Sequence, residues 1–330
     1  MNDCHVIILM GTYNGERYVD AQIQSIQSQS YENWQLLVRD DGSTDNTVRV
    51  LNTFQAQDDR IETLVDNKGN LGASGNFNQL CLAALKRHAD VILFCDQDDV
   101  WLPDKIETQI QAIRSLEQQH GKEYPVLVYT DLSVVDARLK TMHHSFLAYQ
   151  GVKNIDPDPL RVLLAQNYIP ACASASNRTL LQLATPIPDE ALMHDWWFAL
   201  CAAACGKIEF IPESMSRYRQ HRENAVGAKG LLGAISPFRG NMKARWQTGN
   251  TNFRRSIGQA QQLRKRIQGR KPGLHRESLS CINAYADCLE TGRVERIRSI
   301  LKQGIKRQGI IYGTLFYLLL LISPGGQAEK

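Results

Sequence analysis

Asp96-Gln97-Asp98-Asp99 closes the apolar run Val91–Cys95 and stands just before Trp101-Leu102-Pro103-Asp104. A short strand that ends in carboxylates and then turns into a helix places them at the carboxyl edge of a sheet, where open α/β sheets bind their ligands. Carboxylates packed this closely repel one another unless a cation lies between them. Hard divalent cations that also bridge phosphate oxygens are the usual solution. The plain alternative is an Asp pair capping the helix that starts near Pro103.

Other segments carry compatible chemistry. The first strand ends in Gly11-Thr12-Tyr13-Asn14 and the second in Arg39-Asp40-Asp41-Gly42-Ser43-Thr44-Asp45. At that rim Asp40 or Asp41 can accept a hydrogen bond from a nucleobase imide, and Tyr13 can stack on the ring. Ser43 or Thr44 suits the cap of the next helix, and by itself Asp-Asp-Gly-Ser is a turn sequence. Asn67–Gly75, with Lys68, Asn70 and Gly72, is a glycine-rich loop feeding a helix, a seat for phosphate or ribose oxygens. Its spacing is neither that of a P-loop nor a dinucleotide fingerprint, which argues against a Rossmann dehydrogenase. Met193-His194-Asp195-Trp196-Trp197 opens a helix running through Phe198–Ala204. The helix dipole stabilises an acid there, so as a cap Asp195 needs no function. Flanked by His194, Trp196 and Trp197, however, it resembles the wall of a sugar pocket, with a carboxylate able to deprotonate an acceptor hydroxyl. Tyr218-Arg219-Gln220-His221 follows a strand and precedes Asn224 and Gly227, and His221 can ligate a cation or touch phosphate.

The elements that must position these residues follow a β-α-β-α rhythm. Val6–Met10, Trp34–Arg39, Ile61–Val65, Val91–Cys95 and Val126–Tyr129 are short and apolar. Helical stretches lie between them near 16–28, 44–57, 72–88 and 103–119. The pattern predicts a mainly parallel sheet with helices on both faces, its strand-end loops gathered on one rim. A short helix over Leu160–Ala165 and strands at Ile208–Ile211 and Met215–Tyr218 are expected farther on. Beyond Ala225 the chain reads as helical, with breaks at Gly249, Lys271-Pro272-Gly273 and Gly292.

The net charge of +4 conceals a division: residues 239–330 hold 18 Lys plus Arg against 5 Asp plus Glu, and the first 238 hold 20 against 29. An acidic body with a basic tail suggests two jobs. The 8 cysteines lack a repeating pair spacing and no signal peptide opens the chain, so reduced cytosolic thiols are expected. Cys201 and Cys205 lie one helical turn apart without partners at zinc spacing and read as small buried residues.

Gly11–Asn14, Asp40–Ser43, Asp96–Asp99, His194–Trp197 and Tyr218–His221, in this order, resemble family 2 of the inverting glycosyltransferases. These have the GT-A fold, a Rossmann-like nucleotide-binding α/β architecture. The nearest subset contains rhamnosyltransferase-like enzymes of bacterial surface-polysaccharide assembly. The resemblance covers about residues 5–227. It implies a GT-A domain over 1–227, whose 1–130 half binds the nucleotide-sugar and whose 131–227 half faces the acceptor, followed by a helical, basic region over 228–330. It assigns Tyr13 and Asp41 to the nucleobase, with Thr12, Asn14 and Asp40 beside them, and Asp96 to the ribose. It places Asp98 and His221 on a divalent metal, Mn²⁺ or Mg²⁺, and makes Asp195 the base. Gly11 replaces a commoner proline or serine. His194 stands where many relatives have Glu, leaving Asp195 the one carboxylate at that site. The implied reaction moves a sugar from a nucleoside-diphosphate sugar to a hydroxyl of a lipid-linked or growing polysaccharide, with inversion. L-Rhamnose from dTDP-rhamnose is the first choice and a UDP-hexose the alternative.

The tail fits such work at a membrane. Val294, Ile297, Leu301 and Ile305 share one helix face, while Arg293, Arg296, Arg298, Lys302 and Lys306 project elsewhere. Ile310–Ile322 is then almost wholly apolar, but a helix of that length spans about 20 Å against a hydrocarbon core of roughly 30 Å. A basic amphipathic helix followed by a short apolar one suits the cytoplasmic face of an inner membrane, as a peripheral anchor. The alternative is a helix docked on the protein's own core. A nucleotidyltransferase is disfavoured because Gly11–Asn14 lacks basic residues after strand one. A non-catalytic docked assembly protein is disfavoured by the presence of both Asp98 and Asp195. A nucleic-acid partner is not expected, because the apolar end of the tail fits lipid better.

Overall fold

The structure, a computed structural model, describes residues 4–152, 157–221, 242–268 and 276–324. The expected rhythm is present: β1 (Val6–Thr12), α1 (Val19–Gln27), β2 (Trp34–Asp40), α2 (Thr47–Gln57), β3 (Ile61–Thr63), α3 (Gly72–Lys86), β4 (Val91–Asp96), a two-residue β5 (Val100–Trp101) and α4 (Lys105–His120). Strands β3, β2, β1 and β4 lie side by side and parallel. Both faces of β1 are sealed, which is why it reads as a continuous apolar run. Val6, Ile8 and Met10 meet Ile23 of α1 and Ile110 of α4, while Ile7 and Leu9 meet Phe77 and Leu80 of α3. In register, Thr12 pairs with Asp40 and Gly11 with Asp96. Three of the chemically suggestive segments therefore end on one rim.

The second half of the sheet is mixed. β8 (Ser174–Asn177) runs antiparallel to β4 and to β6 (Val126–Asp136), and β9 (Lys207–Gln220) runs parallel to β6 and antiparallel to β5. The two strands expected around Pro212 are this single β9, whose pairing with β6 shifts register beside the proline and resumes beyond it. Small elements complete this half: β7 (Thr141–His143), α5 (Phe146–Tyr149), α6 (Pro159–Leu163), a 3₁₀ turn at Ala171–Ala173 and α7 (Arg178–Ala184). α8 (His194–Cys205) starts where the sequence predicts.

Among the described residues four C-terminal helices follow: α9 (Met242–Ile267), α10 (Arg276–Ala286), α11 (Arg293–Lys302) and α12 (Ile310–Ile322). Phe253, Leu263, Ile282 and Phe316 lie in one apolar cluster with the inner face of the sheet. The expected boundary at 227/228, Asn224, Gly227 and the break at Lys271–Gly273 lie outside the described residues. Gly249 does not break a helix but sits within α9. A helical glycine costs only about 1 kcal/mol, which the burial of Phe253, Ile257, Ala260 and Leu263 outweighs.

The face assigned to α11 is also corrected. Val294 and Leu301 are exposed, whereas Ile297 packs against the core and Ile305, just past the helix, is buried; within the helix the buried positions are Ile300 and, unexpectedly, Arg296. The Arg296 guanidinium donates to the carbonyls of Cys288, Leu320 and Ser323 at 2.6–2.9 Å, closing the orphan carbonyls at the end of α12. All eight cysteines are free thiols. Among the described residues no helix is long and apolar enough to cross a membrane.

Candidate active site

The nucleotide side of the rim is built from side chains bonded to backbone. Asp40 accepts from the Thr12 and Ser43 hydroxyls through Oδ1 and from the Gly42 and Ser43 amides through Oδ2. A carboxylate offers about four acceptor positions, so Asp40 is saturated and shapes its turn instead of meeting a base. Thr12, buried and committed to Asp40, likewise has a positioning place. Asp41 accepts from Arg39 and the Leu71 amide on Oδ1 and from the Gly72 amide on Oδ2, which retains a lone pair. Arg39 spends its guanidinium on Asp41, Asp66, Asn76 and the Gly69 carbonyl. The pair thereby ties β2 to the glycine-rich loop, where Gly69 and Gly72 have φ of +65° and +69°. In that loop Asn70 also accepts from the Gly72 amide, and the exposed Lys68 donates to Gln79.

Tyr13 is 50% exposed, as a stacking platform must be. Its amide donates to Gln97 Oε1 and its carbonyl accepts from Gln97 Nε2. Asn14, at φ +48°, donates its amide to Ser43 and accepts from the Thr44 amide. A Cβ on Gly15 would fall against the Gln97 side-chain amide and force it to shift. Gln97 thus clamps the first loop to the acidic one, a part hidden in the sequence as the middle of Asp-Gln-Asp-Asp.

Asp98 Oδ2 and His221 Nε2 lie 2.7 Å apart. The turn that joins them hangs on Arg219, whose amide donates to Asp99 Oδ1, Nε to the Asp98 carbonyl and Nη1 to the Ala137 carbonyl. Its guanidinium also covers the Tyr18 ring at 4.8 Å. Burial, then the neighbouring Asp98, pushes Asp96 up to about 7. Asp96, Asp99 and Cys172 bring potential metal-binding atoms within 4.8 Å of one another. Burial raises the Asp99 carboxyl and the Cys172 thiol as well, and a thiol is a softer ligand than a hard cation prefers. The oxygen of Asp98 and the nitrogen of His221 do suit Mn²⁺ or Mg²⁺, and excess acid around Asp96 is what a cation there would relieve.

Asp195 stands in the first turn of α8, partly buried. Its oxygens accept from the Trp196 amide at 2.5 Å and the Ala171 amide at 3.3 Å. Burial raises its pKa to about 6, and its charge is felt by Asp96 across the site. A base that titrates near the working pH suits proton abstraction.

Two expected pocket residues belong to the core instead. His194 is buried, stacked on Phe77 at 3.9 Å, and burial lowers its pKa to about 3, so the ring is neutral. Trp197 is 0% exposed and donates to the Ala184 carbonyl. Both point inward because α8 offers one side to Phe77, Phe94 and the sheet, leaving Asp195 and Trp196 on the other. Trp196 is partly buried and donates to the Leu163 carbonyl.

A mixed sheet with carboxylates, a histidine and a glycine-rich loop on one rim is a nucleotide-sugar-type GT-A architecture, and residues 7–120 match Glycosyl transferase family 2. That stretch is a Glycosyl transferase family 2 domain. An uncharacterized glycosyltransferase of a Nostoc species is 29% identical over 226 residues, 66% of each chain. The dTDP-rhamnosyl transferase RfbG of Shigella flexneri is 26% identical, covering 72% of this chain and 80% of that one. The UDP-Glc:α-D-GlcNAc-diphosphoundecaprenol β-1,3-glucosyltransferase WfgD of Escherichia coli is 41% identical, covering 34% and 42%. The chain spans less than two thirds of the length of the first curated relatives it matches, at 66%, 47% and 42%. The fold is shared with S. aureus TarS 1-349 in complex with UDP-GlcNAc, at TM-score 0.52 and 13% identity over 91% of this chain and 79% of that one. It is also shared with the mannosyltransferase PcManGT from Pyrobaculum calidifontis in complex with GDP-Man and Mn²⁺, at TM-score 0.51 and 14% identity over 95% and 79%.

Proposed function

We propose that this protein is an inverting, metal-assisted glycosyltransferase that moves a sugar from a nucleoside-diphosphate sugar to a hydroxyl of a lipid-linked or growing surface polysaccharide. The observation that carries this reading is the pairing of a rim holding Asp98 and His221 with a desolvated Asp195 near enough for its charge to act on Asp96. Tyr13 stacks on the base and Asp41 Oδ2 takes the imide proton's hydrogen bond. Lys68, Asn70 and the Gly72 region seat the ribose and phosphates, and Asp96 meets the ribose. Asp98 and His221 would hold the divalent cation, which would supply Lewis-acid neutralisation of the departing diphosphate. Asp195 removes the acceptor proton as the hydroxyl attacks opposite the leaving group, so the anomeric configuration inverts. Trp196 borders the acceptor.

For the donor, dTDP-rhamnose is the first choice, supported by the name of RfbG, with UDP-hexoses as the alternative, supported by WfgD. The acceptor is placed at the cytoplasmic face of a membrane. One side of α12, including Ile311, Leu315, Leu318 and Ile322, is exposed, and Arg293, Arg298, Lys302 and Lys306 are exposed nearby. This fits a peripheral helix on anionic lipid.

The test is thermal unfolding of the full chain against dTDP-rhamnose, UDP-glucose and UDP-GlcNAc, each with and without Mn²⁺ or Mg²⁺. A rise with one nucleotide that requires metal, and that Asp98→Ala abolishes, is expected. A rise that ignores both metal and Asp98→Ala would overturn the metal-assisted reading.

A further inference from the structure

Gln97 lies between Asp96 and Asp98 in the chain, yet its side chain reaches the first loop. Its Nε2 donates to the Tyr13 carbonyl at 2.9 Å, and its Oε1 accepts from the Tyr13 amide at 3.0 Å. This is the two-bond match that one peptide group makes with another. It needs a donor and an acceptor side by side, which a side-chain amide has and a carboxylate or an ammonium lacks. The same loop is held again at its far end. The Tyr18 amide donates to the Gly15 carbonyl at 3.0 Å, and the Tyr18 ring lies 4.6 Å from the His221 ring and 4.8 Å from the Arg219 guanidinium. Arg219 in turn donates to the Asp98 carbonyl at 2.6 Å and, through its amide, to Asp99. Residues 13–18 and the acidic turn are therefore one assembly, and Gln97 is the side chain of that turn that bonds the Tyr13 backbone.

We propose that Gln97 is a positioning residue that links nucleobase recognition to the metal: a cation on Asp98 fixes the acidic turn, and the Gln97 amide carries that order to the Tyr13 platform. The inference rests on the reading of Tyr13 as the base platform and Asp98 as a metal ligand, and deepens it by giving the two a common support. Three carboxylates in four residues, Asp96, Asp98 and Asp99, repel one another until a cation lies among them. Tyr13 is half exposed, so the place of its ring depends on the backbone that carries it. Linkage between two sites is reciprocal. Whatever factor the metal gives to base binding, the base must return to metal binding, even in a ligand with no phosphate to touch the ion.

The test uses that last point. The Mn²⁺ affinity of the full chain is read from the electron-spin resonance of the free ion, with and without saturating uridine or thymidine, nucleosides that have no phosphate. In wild type the nucleoside is expected to tighten Mn²⁺ about fivefold, the low end of coupling between sites. Gln97→Met keeps the length of the side chain and removes both hydrogen bonds without adding charge. It should stay folded and bind Mn²⁺ but show no nucleoside effect. Gln97→Asn, an amide one methylene short of Tyr13, should lose the effect as well. A nucleoside effect that persists in Gln97→Met, or that is absent from wild type, would overturn the proposal. Mn²⁺ binding unchanged by Asp98→Ala would instead overturn the metal-site reading, so the two failures are separate.

Discussion

The two halves of the site treat carboxylates in opposite ways. On the nucleotide side Asp40 and Asp41 are held by seven hydrogen bonds from amides, hydroxyls and a guanidinium. Those bonds shape the loops they join. On the acceptor side Asp195 accepts from two backbone amides, and burial raises its pKa to about 6. A residue that must stay charged is wrapped in donors, and one that must exchange a proton is left partly desolvated. On the proposed reading the rim receives the nucleotide and Asp195 does the proton chemistry, although Asp96 on that rim is raised further still, to about 7.

That contrast breaks most sharply at Asp195. Asp195→Asn keeps one acceptor oxygen, enough for the Trp196 or the Ala171 amide but not both, and removes the base, so turnover should fall about 10²–10⁴-fold with donor binding intact. Steady-state rates beside donor-induced thermal shifts check this. A parallel loss of donor binding would merge the two halves into one.

The same variant sharpens the comparison through stability. The folded pKa of Asp195 lies above its ordinary 3.8. Its contribution to stability is therefore fully present below pH 3.8 and lost as pH rises through about 6. Above that, the ionised base costs the native state of order 2–3 kcal/mol. Asp195→Asn should match wild type near pH 4 and exceed it at pH 8. Chemical denaturation at the two pH values decides, and equal stability at both would show that the carboxylate is not desolvated. For the receptor side, Asp98→Ala should weaken metal affinity by at least about 10–100-fold, the range seen when a group that merely braces a ligand is lost. Calorimetry with Mn²⁺ checks it, and an undiminished affinity would move the cation to other groups.

How far the sequence reaches follows the same division. The strands and the loops at their ends were legible because alternation between apolar runs and Gly/Asp/Asn turns reports backbone placement. Asp98 meeting His221 was legible only through the family resemblance, since 123 residues separate them. His194 and Trp197 were misplaced because adjacency in a motif does not say which side of a helix faces the core, and period 3.6 turns neighbours by 100°. Arg219 and Gln97 carry their contacts through bonds to distant backbone, which no spacing records.

The smallest effect tests whether the apolar face of α12 belongs with the receptor or is free for lipid. Deleting the helix would not isolate that face. Phe316, Leu319 and Leu320 on its other side are core residues, and Arg296 is tied to its end, so truncation would expose the interior. Leu315 and Leu318 are 43% and 41% exposed and lie on the outward side. Burying the rest of such a side chain in a headgroup–acyl boundary is worth about 1 kcal/mol, so Leu315→Ser or Leu318→Ser should weaken binding to anionic vesicles about fivefold each, with an unchanged melting temperature. Rising salt should weaken the wild type further by screening Arg298, Lys302 and Lys306. Vesicle flotation reads both effects. Unaltered flotation with both leucines replaced would assign the face to a protein neighbour, and a lowered melting temperature in either variant would show it to be part of the core.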